Sequence, residues 1–425
     1  MRSTQVLLPG ATFEVDRLLA PQQALLAYFA AFDLPLPAVE HVGLGAAFGR
    51  VLAEDATARA AFPAANRSSM DGFAVRSIDG NATRRIVGDI RMGQAPSATL
   101  GAGEAMRIPT GGVLPTGADA VVPIEDADVV VMPGEVGEAI SIREQAEAGA
   151  CFTPRGSDML PGDCAIPAGR RIGGPELGVL ATLGITQVPV YRRPRVAIVS
   201  TGDELVDAAS EPALGQIRDS NRWAIDGTLR ALGAEPVHLP RGSDELGVLR
   251  ALVARGLEEA DAVILTGGSS VGERDLTPDV IESFAGPGVI VHGLRVKPGK
   301  PTVLAAVGTK PIIGLPGNPT SALMILEAVC APIVSRLTGE IGRRDEARTV
   351  LAGAEFKGRT GWTWFVPAEI RTESGGERAF PIAIHSAHTS LLARAHGYAI
   401  LTENAPTVAA GDVISIVRFS AGGRA

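Results

Sequence analysis

Small hydroxyl-bearing residues, glycines, one acid and two lysines occur close together between residues 261 and 321, a composition suited to binding an anion. An apolar run at residues 262–265 predicts a buried parallel strand. A turn follows in which glycines allow a tight bend and expose backbone N–H groups: Thr266, Gly267, Gly268, Ser269 and Ser270. Asp275 then adds a carboxylate, and Lys297 and Lys300 add cations. Because open α/β sheets bind ligands at the carboxyl ends of their strands, this set predicts a site for an anion held with a divalent metal.

An ordinary loop between a strand and a helix, with solvated charges, would account for any one of these features alone. Their occurrence in one stretch favours the binding site. A second acidic loop, Thr201-Gly-Asp-Glu204, follows the apolar run at 196–200 and is expected at the same edge of the sheet.

Alternating strands and helices must position these loops. The strands are predicted at 196–200, 236–239, 262–265 and 311–315, and the helices at 222–232, 244–257, 278–284 and 319–337. Asn221 is expected to cap the first of these helices and Asn318 the last, with Pro319 in its first turn. This alternation predicts a multidomain α/β protein whose centre is a doubly wound three-layer αβα domain.

The remaining segments predict smaller modules around that domain. A helix is expected at 21–32, with Leu25, Tyr28, Phe29 and Phe32 on one face. Short β-like runs broken by glycine at 60–144 predict an inserted β-rich domain, and renewed alternation after residue 339 predicts a C-terminal β-barrel. The expected division is a linking helical/mixed domain at 1–59 and 145–190, the inserted domain at 60–144, the α/β domain at 191–338 and the barrel at 339–425.

Composition narrows the class of protein. The 425 residues are 46% hydrophobic and 20% charged, which describes a soluble globular chain. The net charge of −8 argues weakly against a nucleic-acid partner. The three cysteines form no CxxC pair, so a reduced cytoplasm and buried or inert thiols are expected. The N-terminus predicts no signal peptide, and Glu327 and Pro332 interrupt the apolar stretch 320–334, which predicts a buried helix and no membrane span.

A series of short motifs resembles the MoeA family, the molybdopterin molybdenumtransferases, with the E domain of gephyrin. In the family's order they are SSMDGFAV (68–75), PTGG (109–112), RGSD (155–158), STGDEL (200–205), DSN (219–221), GGSSVGERD (267–275), KPGKP (297–301) and GLPGNPTSA (314–322). The resemblance extends from about residue 14 to 420. It implies insertion of molybdate into the dithiolene of adenylylated molybdopterin, with release of AMP and of the molybdenum cofactor. It also implies Mg²⁺ or another divalent cation, and a homodimer with its cleft shared between subunits.

Site residues carry over from the family motif by motif. The resemblance implies that Glu204 and Asp275 hold the metal or orient the attacking oxygen, and that Lys297 and Lys300 bind phosphate or molybdate. Asp71 and Thr110 would reach the cleft from the other subunit. Further substrate-binding positions implied by the resemblance are Gly267, Gly268, Ser269, Ser270, Asp219, Asp244, Pro316, Pro319 and Ser390, and Asp158 has a structural or functional role.

This sequence departs from the family pattern at three places. Asn66-Arg67 stands where an Asp-Asn pair is usual, and Leu391 replaces the second residue of a serine pair. Gly293 stands where a lysine is frequent, and Arg295 or His292 could replace its charge. The alternatives to molybdenum insertion are adenylylation of molybdopterin and a non-catalytic, cofactor-binding scaffold. The expected transient partners are a molybdopterin adenylyltransferase and apo-molybdoenzymes, with no nucleic acid and no membrane.

Overall fold

The computed structural model describes residues 18–131, 137–267, 276–342, 346–383 and 388–420. Contacts between residues divide the chain into two units. One comprises Met1–Glu54, Ala168–Gly174 and Gln187–Ala425, and the other comprises Asp55–Pro167 and Pro175–Thr186. The finer four-domain division expected from the sequence stays a prediction.

The helices of the described residues are short. They are α1 (Pro21–Ala31), α2 (Leu44–Ala47), α3 (Gly174–Thr182), α4 (Asn221–Ala231), α5 (Leu246–Glu259), α6 (Leu276–Glu282), α7 (Pro319–Ile325), α8 (Ala331–Leu337) and α9 (Ser390–Arg394). A π-helical turn, Leu326–Cys330, joins α7 to α8.

The strands of the first 191 residues are brief and divided by turns. They are β1 (Val39–Gly43), β2 (Ala56–Thr57), β3 (Arg67–Ser68), β4 (Gly72–Val75), β5 (Arg84–Asp89), β6 (Glu104–Ile108), β7 (Ala120–Pro123), β8 (Ala127–Val131), β9 (Glu138–Ile142), β10 (Phe152–Thr153), β11 (Cys164–Ile166) and β12 (Gln187–Tyr191).

Longer strands follow in the rest of the chain. They are β13 (Arg195–Ser200), β14 (Leu205–Val206), β15 (Ile217–Arg218), β16 (Glu235–His238), β17 (Ala262–Thr266), β18 (Gly288–His292), β19 (Val296–Lys297), β20 (Val303–Val307), β21 (Lys310–Leu315), β22 (Ala347–Ala352), β23 (Phe356–Lys357), β24 (Thr363–Glu373), β25 (Gly376–Pro381), β26 (Gly397–Leu401), β27 (Thr407–Val408) and β28 (Val413–Arg418).

A six-stranded sheet in the order β16-β13-β17-β21-β20-β18 forms the centre of the larger unit. Its first four strands are parallel, whereas β20 runs antiparallel to both neighbours. Alternate residues of β13 point to opposite cores: Val196 and Ile198 pack with α4, α7 and α8, and Ala197 and Val199 pack with α5 and α6. Because both faces are covered, each central strand is a continuous apolar run. The expected three-layer αβα architecture is confirmed.

Two details of this sheet differ from the sequence prediction. Strands β18 and β20 were not expected, and they extend the sheet with an antiparallel pair. On α1 the buried face is formed by Ala24 and Tyr28, with Phe32 just beyond the helix, whereas Phe29 is exposed. The expected face was therefore wrong at Phe29, because the helix packs on the core through Ala24 and Tyr28.

The C-terminal segment closes a small barrel. Strands β24, β25, β22, β28 and β26 follow one another in the sheet, and β26 pairs again with β24. The interior is apolar and includes Phe356, Val366 and Ile416. Strand β19 adds to the outer edge of β24 and so connects the α/β sheet region to the barrel. The barrel expected from the alternating pattern is present.

The second unit is β-rich. Its six-stranded sheet has the order β7-β4-β6-β5-β9-β8, in which only the β5–β6 pair is parallel. Both faces of this sheet carry small apolar clusters, one around Phe73 and Ile140 and the other around Met106 and Val121. Arg84 is fully buried and donates to the carbonyl oxygens of Gly80, Arg76 and Ala82. These bonds reduce the cost of burying the guanidinium, whose Nε has no hydrogen-bond partner among the described residues.

The helical run Pro319–Leu337 is long and apolar enough to cross a membrane, with a mean hydropathy of 1.5, but 78% of it is buried. It packs against the central sheet through Ala322, Met324 and Ile333. Its interior position confirms the expected buried helix.

All three cysteines are free thiols. Cys330 is buried in the core, Cys151 is half-buried and Cys164 is exposed. Burial raises the pKa of Cys330, and partial desolvation, assisted by the charge of Asp55, raises the pKa of Cys164. Both shifts favour the unreactive protonated thiol.

Candidate functional site

Three loops converge at the carboxyl edge of the central sheet. They follow β13, β17 and β21, which are neighbours in the sheet. Gly267 has a φ of +103°, and a Cβ added there would lie 2.0 Å from the carbonyl oxygen of Thr201. A Cβ added to Gly317 would lie 3.5 Å from Cα of Gly267. Only a residue without a side chain allows this approach at position 267, so the conformation of Gly267 is set by its contact with Thr201.

Asn221 connects these loops to α4. The sequence predicted it as the helix cap, but the helix begins at Asn221 and Ser220 precedes it. Its side-chain amide instead donates to Oγ1 of Thr266 and to the carbonyl oxygen of Gly317, both at 2.8 Å. The cap prediction was wrong because the amide has partners from two distant loops, which a local pattern does not reveal.

A buried acid, Asp219, fixes the first turn of α4. Its Oδ1 accepts the backbone N–H of Arg222 at 3.2 Å, and its Oδ2 pairs with Nε of the same residue at 3.2 Å. Arg222 also donates to the carbonyl oxygen of Leu239. The carboxylate of Asp219 is therefore occupied by a structural network in this structure.

Three carboxylates lie together on the loops after β13 and β16. The backbone N–H of Asp244 donates to Oδ1 of Asp203 at 3.4 Å, and Glu204 lies against Gly202, where an added Cβ would be 2.6 Å from its Oε2. The pKa of the Asp244 carboxyl is raised, first by partial burial and then by the charges of Asp203 and Glu204. Mutual repulsion of this kind is what a bound cation relieves.

The lysine loop lies between the α/β sheet and the barrel. Lys297 is exposed on β19, and Lys300 is half-buried at the other end of the loop. Between them Gly299, with φ of +108°, packs so closely on α7 that an added Cβ would lie 2.1 Å from Cγ1 of Ile325. The hydroxyl of Thr302 donates to the carbonyl oxygen of Gly299 at 2.7 Å. The lysine loop thus packs on the last residue of α7, the helix that follows the loop after β21.

The departure at Gly293 is not compensated by a free arginine. The guanidinium of Arg295 forms an ion pair with Glu403 of the barrel at 2.8 Å. This pair neutralises the charge that could replace the frequent lysine. His292, the other candidate, lies in β18 and is half-buried.

Asp71 and Thr110 lie together in the second unit. Oδ1 of Asp71 accepts the backbone N–H of Thr110 at 2.6 Å and its hydroxyl at 2.8 Å. Both bonds, the backbone one foremost, lower the pKa of Asp71. The pair is exposed, so an ionised carboxylate is presented to solvent. Asp158 lies elsewhere in this unit, with its backbone N–H bonded to Phe62.

The remaining predicted residues lie in the loop after β21, at the start of α7 and at the start of α9. Pro316 is buried, and Pro319 occupies the first position of α7. The hydroxyl of Thr320, one residue into that helix, donates to the carbonyl oxygen of His388 at 2.5 Å. That bond holds the segment just before α9, whose first residue is the exposed Ser390.

Comparisons with known proteins identify the family of this chain. Residues 19–184 match the family described as the MoeA N-terminal region (domain I and II), and residues 197–336 match a probable molybdopterin binding domain. The molybdopterin molybdenumtransferase of Bacillus subtilis is 32% identical over 387 residues, which is 89% of each chain. The chain belongs to the molybdopterin molybdenumtransferase family.

Other members of this transferase family are similar over comparable lengths. Molybdopterin molybdenumtransferase 2 of Mycobacterium tuberculosis is 32% identical over 88% of this chain and 94% of its own. Among solved structures, the molybdopterin biosynthesis MoeA protein of Pyrococcus horikosii superposes with a TM-score of 0.76 at 30% identity, covering 95% of this chain and 99% of the other. Family membership thus rests on sequence and fold together.

Some of the family's expected site residues fall outside the described residues. They are Gly268, Ser269, Ser270 and Asp275. Within the described ranges no group of three or more His, Cys, Asp or Glu side chains is arranged to hold a metal ion.

Two residues that contact predicted site residues were not singled out from the sequence. Asp203 adjoins Glu204 in the TGDE motif, so its signal was present in the pair of neighbouring acids. Trp364, which lies against Lys297, comes from a barrel strand some sixty residues later, and no local pattern connects the two.

Proposed function

We propose that this chain inserts molybdate into adenylylated molybdopterin, releasing AMP and the molybdenum cofactor. The observation that carries the proposal is the convergence of three loops at one sheet edge, with the lysine loop packed on the helix that follows the third, in a chain that matches molybdopterin molybdenumtransferases over most of its length. Molybdate and a pyrophosphate-linked substrate are both anions. A site that binds them together must supply cations and N–H donors.

The protein's own residues divide this work. Backbone N–H groups of the glycine turn beginning at Gly267 and the hydroxyls of Ser269 and Ser270 bind phosphate oxygens. Lys297 and Lys300 act as point charges for phosphate or molybdate. Pro316 and Pro319 shape the neighbouring loop, and Ser390 approaches from the barrel. Asp219, through its network with Arg222, keeps α4 and therefore Asn221 in place.

We propose that a divalent cation, Mg²⁺ foremost, is held by Glu204 and Asp275, with Asp244 and Asp203 beside them. Carboxylate oxygens are the ligands that Mg²⁺ prefers. The pKa of Asp244 is raised first by partial burial and then by the charges of Asp203 and Glu204, and a cation would offset the second of these causes. When bound, such an ion supplies neutralisation of developing negative charge. The acids hold it and orient the substrate.

We further propose that the protein works as a cytoplasmic homodimer. Asp71 and Thr110 of one chain would complete the site built by the α/β domain of its partner, which makes dimerisation a condition of activity. The substrate would come from a molybdopterin adenylyltransferase, and the product would pass to apo-molybdoenzymes. The exposed, ionised Asp71 carboxylate supports a role at such a shared surface.

The proposal is tested by AMP release from adenylylated molybdopterin with and without molybdate. Release that requires molybdate and Mg²⁺ and falls at least about a hundredfold in Asp275→Ala is the expected result. Asp261→Ala, whose carboxylate pairs with Arg192 away from the loops, is the matched control. AMP transfer from ATP to molybdopterin without molybdate would instead establish the adenylyltransferase alternative, and cofactor binding without turnover would establish the scaffold.

A further inference from the structure

An indole of the C-terminal barrel lies against a lysine of the anion site. Strand β19 pairs with β24 in parallel, and in this register Lys297 is opposite Trp364. Nζ of Lys297 is 4.7 Å from the centroid of a Trp364 ring. This separation is within the range in which the negative face of an aromatic ring attracts a cation.

The contact restrains the lysine without neutralising it. A lysine side chain is a flexible four-carbon stem, and an unrestrained ammonium must lose that freedom when it binds an anion. A carboxylate partner would restrain it too, but would cancel its charge, as Glu403 does for Arg295 two residues earlier. An aromatic face carries no net charge, so an ammonium above it keeps its full charge for an incoming oxyanion.

The indole itself is held by packing. Trp364 packs against the apolar core of the barrel, and its strand also pairs with β26 opposite Leu401. Gly358 approaches so closely that an added Cβ would lie 3.0 Å from Cγ of the indole. The indole N–H is buried and donates to no acceptor within the described part of the chain. The ring position is therefore set by its neighbours in the barrel, with no hydrogen bond to direct it.

We propose that Trp364 is a positioning residue that holds the Lys297 ammonium ready for an oxyanion, which makes the C-terminal barrel a working part of the anion site. The inference rests on the proposed function only in giving Lys297 an anion to bind. It assigns a role to a residue that belongs to none of the family motifs in this sequence. The ligand class is a tetrahedral oxyanion, either molybdate itself or the phosphate of the nucleotide.

The first experiment is a double-mutant cycle on anion affinity. Binding of molybdate and, separately, of AMP is measured by calorimetry for the full-length protein and for Trp364→Leu, Lys297→Met and the double variant. Trp364→Leu is expected to weaken binding about two- to fivefold, the change to which a cation–π contact corresponds. In the Lys297→Met background the same substitution is expected to change nothing. An equal loss in both backgrounds would overturn the proposal and make Trp364 a purely structural residue.

Matched variants separate the ring's charge distribution from its bulk. Trp364→Phe keeps an aromatic face and is expected to retain most of the affinity that Trp364→Leu loses. Trp362→Leu removes an indole that lies two residues earlier, directly before β24. It is the control, and it is expected to bind molybdate and AMP as the wild type does. Gly358→Ala crowds the Trp364 ring without altering it, and is expected to reproduce part of the loss. Equal affinity in Trp364→Phe and Trp364→Leu would contradict the proposal.

A second readout does not depend on turnover. The chain has three tryptophans, so the double variant Trp223→Phe, Trp362→Phe leaves Trp364 as the only indole. Its fluorescence is expected to change saturably on addition of molybdate or AMP, and Lys297→Met is expected to abolish the change. A response unaffected by Lys297→Met would overturn the proposal. If the wild type releases no AMP from adenylylated molybdopterin but these binding results hold, the proposed reaction fails while the role of Trp364 stands.

Discussion

At the scale of single residues, the acids after β13 and β16 repel one another, and a bound cation would relieve this repulsion. Asp244 has a raised pKa because it is partly buried and faces the charges of Asp203 and Glu204. For an acid with a raised folded-state pKa, the stabilising contribution is present below the ordinary value and is lost as the pH rises through the folded value. At neutral pH the ionised Asp244 is therefore expected to weaken the fold slightly, and the proposed cation would offset this cost.

Asp244→Asn is expected to separate stability from activity. At pH 7 and without Mg²⁺ the free energy of unfolding should rise, because the variant lacks the repelled charge. The rise should be only about 0.5 kcal/mol, since solvent screens a largely accessible side chain. The gain should shrink toward pH 4 and on addition of Mg²⁺, while molybdate-dependent AMP release should fall about tenfold. Thermal unfolding at several pH values and Mg²⁺ concentrations checks this. A variant that is less stable than the wild type at pH 7 would contradict it.

Thr110 controls the charge of Asp71 through two donors. Thr110→Val removes the hydroxyl donor but keeps the backbone N–H, which is the larger cause of the lowered pKa. The pKa of Asp71 should therefore rise only part of the way to its ordinary value. Because the folded-state pKa is lowered, the associated stability is present above the ordinary value and is lost as the pH falls through the folded one. A carboxyl titration by nuclear magnetic resonance measures the shift, and Thr110→Ser, which keeps the hydroxyl, should titrate like the wild type.

Single residues also show which contacts the local sequence can predict and which it cannot. The pairing of Asp71 with Thr110 joins two motifs thirty-nine positions apart. The resemblance implied that both residues reach the shared cleft, but it did not predict the bond between them. The bonds of Asn221 to Thr266 and Gly317 and the contact of Lys297 with Trp364 were not foreseen. Such contacts depend on strand order and register, which the type of a residue and its immediate neighbours do not encode.

At the scale of elements, the site depends on loops that are set against one another by close backbone contact. Gly267→Ala would place a Cβ 2.0 Å from the carbonyl oxygen of Thr201, in a backbone conformation that side chains disfavour. The free energy of unfolding should fall by about 1–3 kcal/mol and AMP release should fall with it, because the glycine turn must move. Denaturant unfolding measures the change.

Gly227 in the middle of α4 offers the matched control. A Cβ added there meets no atom within 4 Å. Gly227→Ala should therefore raise the free energy of unfolding by about 0.5–1 kcal/mol through helix propensity, with unchanged activity. If both alanine variants changed stability by the same amount, the close approach of the glycine turn to Thr201 would not be what sets its conformation.

Elements with long apolar runs were the predictable ones. Strands β13, β17 and β21 are covered on both faces, so their sequences are continuous and unmistakable. Strands β18 and β20 were missed because glycines and prolines surround them and their pairing is with each other and with β21. The π-helical turn Leu326–Cys330 has no sequence signature, since apart from Glu327 its residues are apolar like those of the helices on either side.

At the scale of the whole molecule, a protein with a net negative charge must bind anionic substrates. The net charge of −8 repels molybdate and nucleotide at a distance, so binding depends on cations concentrated at the site. The order of motifs predicted the family and its architecture from sequence alone. The way in which two chains would form one site depends on their surfaces, which neither periodicity nor motif order describes. The proposed shared site therefore needs a test of its own.

Mixing two inactive variants tests the shared cleft. In the proposed homodimer each site takes Asp71 from one chain and Lys297 from the other. A heterodimer of Asp71→Ala with Lys297→Ala would then have one site with both defects and one intact site. Random pairing of the two chains should restore about a quarter of wild-type activity, since half of the dimers would carry one working site in two. Co-expression with two affinity tags isolates the mixed dimers, in which AMP release should be about half that of the wild type.

The matched control pairs two defects from the same half of the site. Glu204→Ala mixed with Lys297→Ala leaves one defect in each site of the heterodimer, because both residues belong to the α/β region of a single chain. No activity should return. Recovery in the Asp71 mixture but not in this one would support the shared site. Mixed dimers that stay inactive in both cases, or a wild-type protein that light scattering finds to be an active monomer, would show that Asp71 acts within its own chain or outside the site.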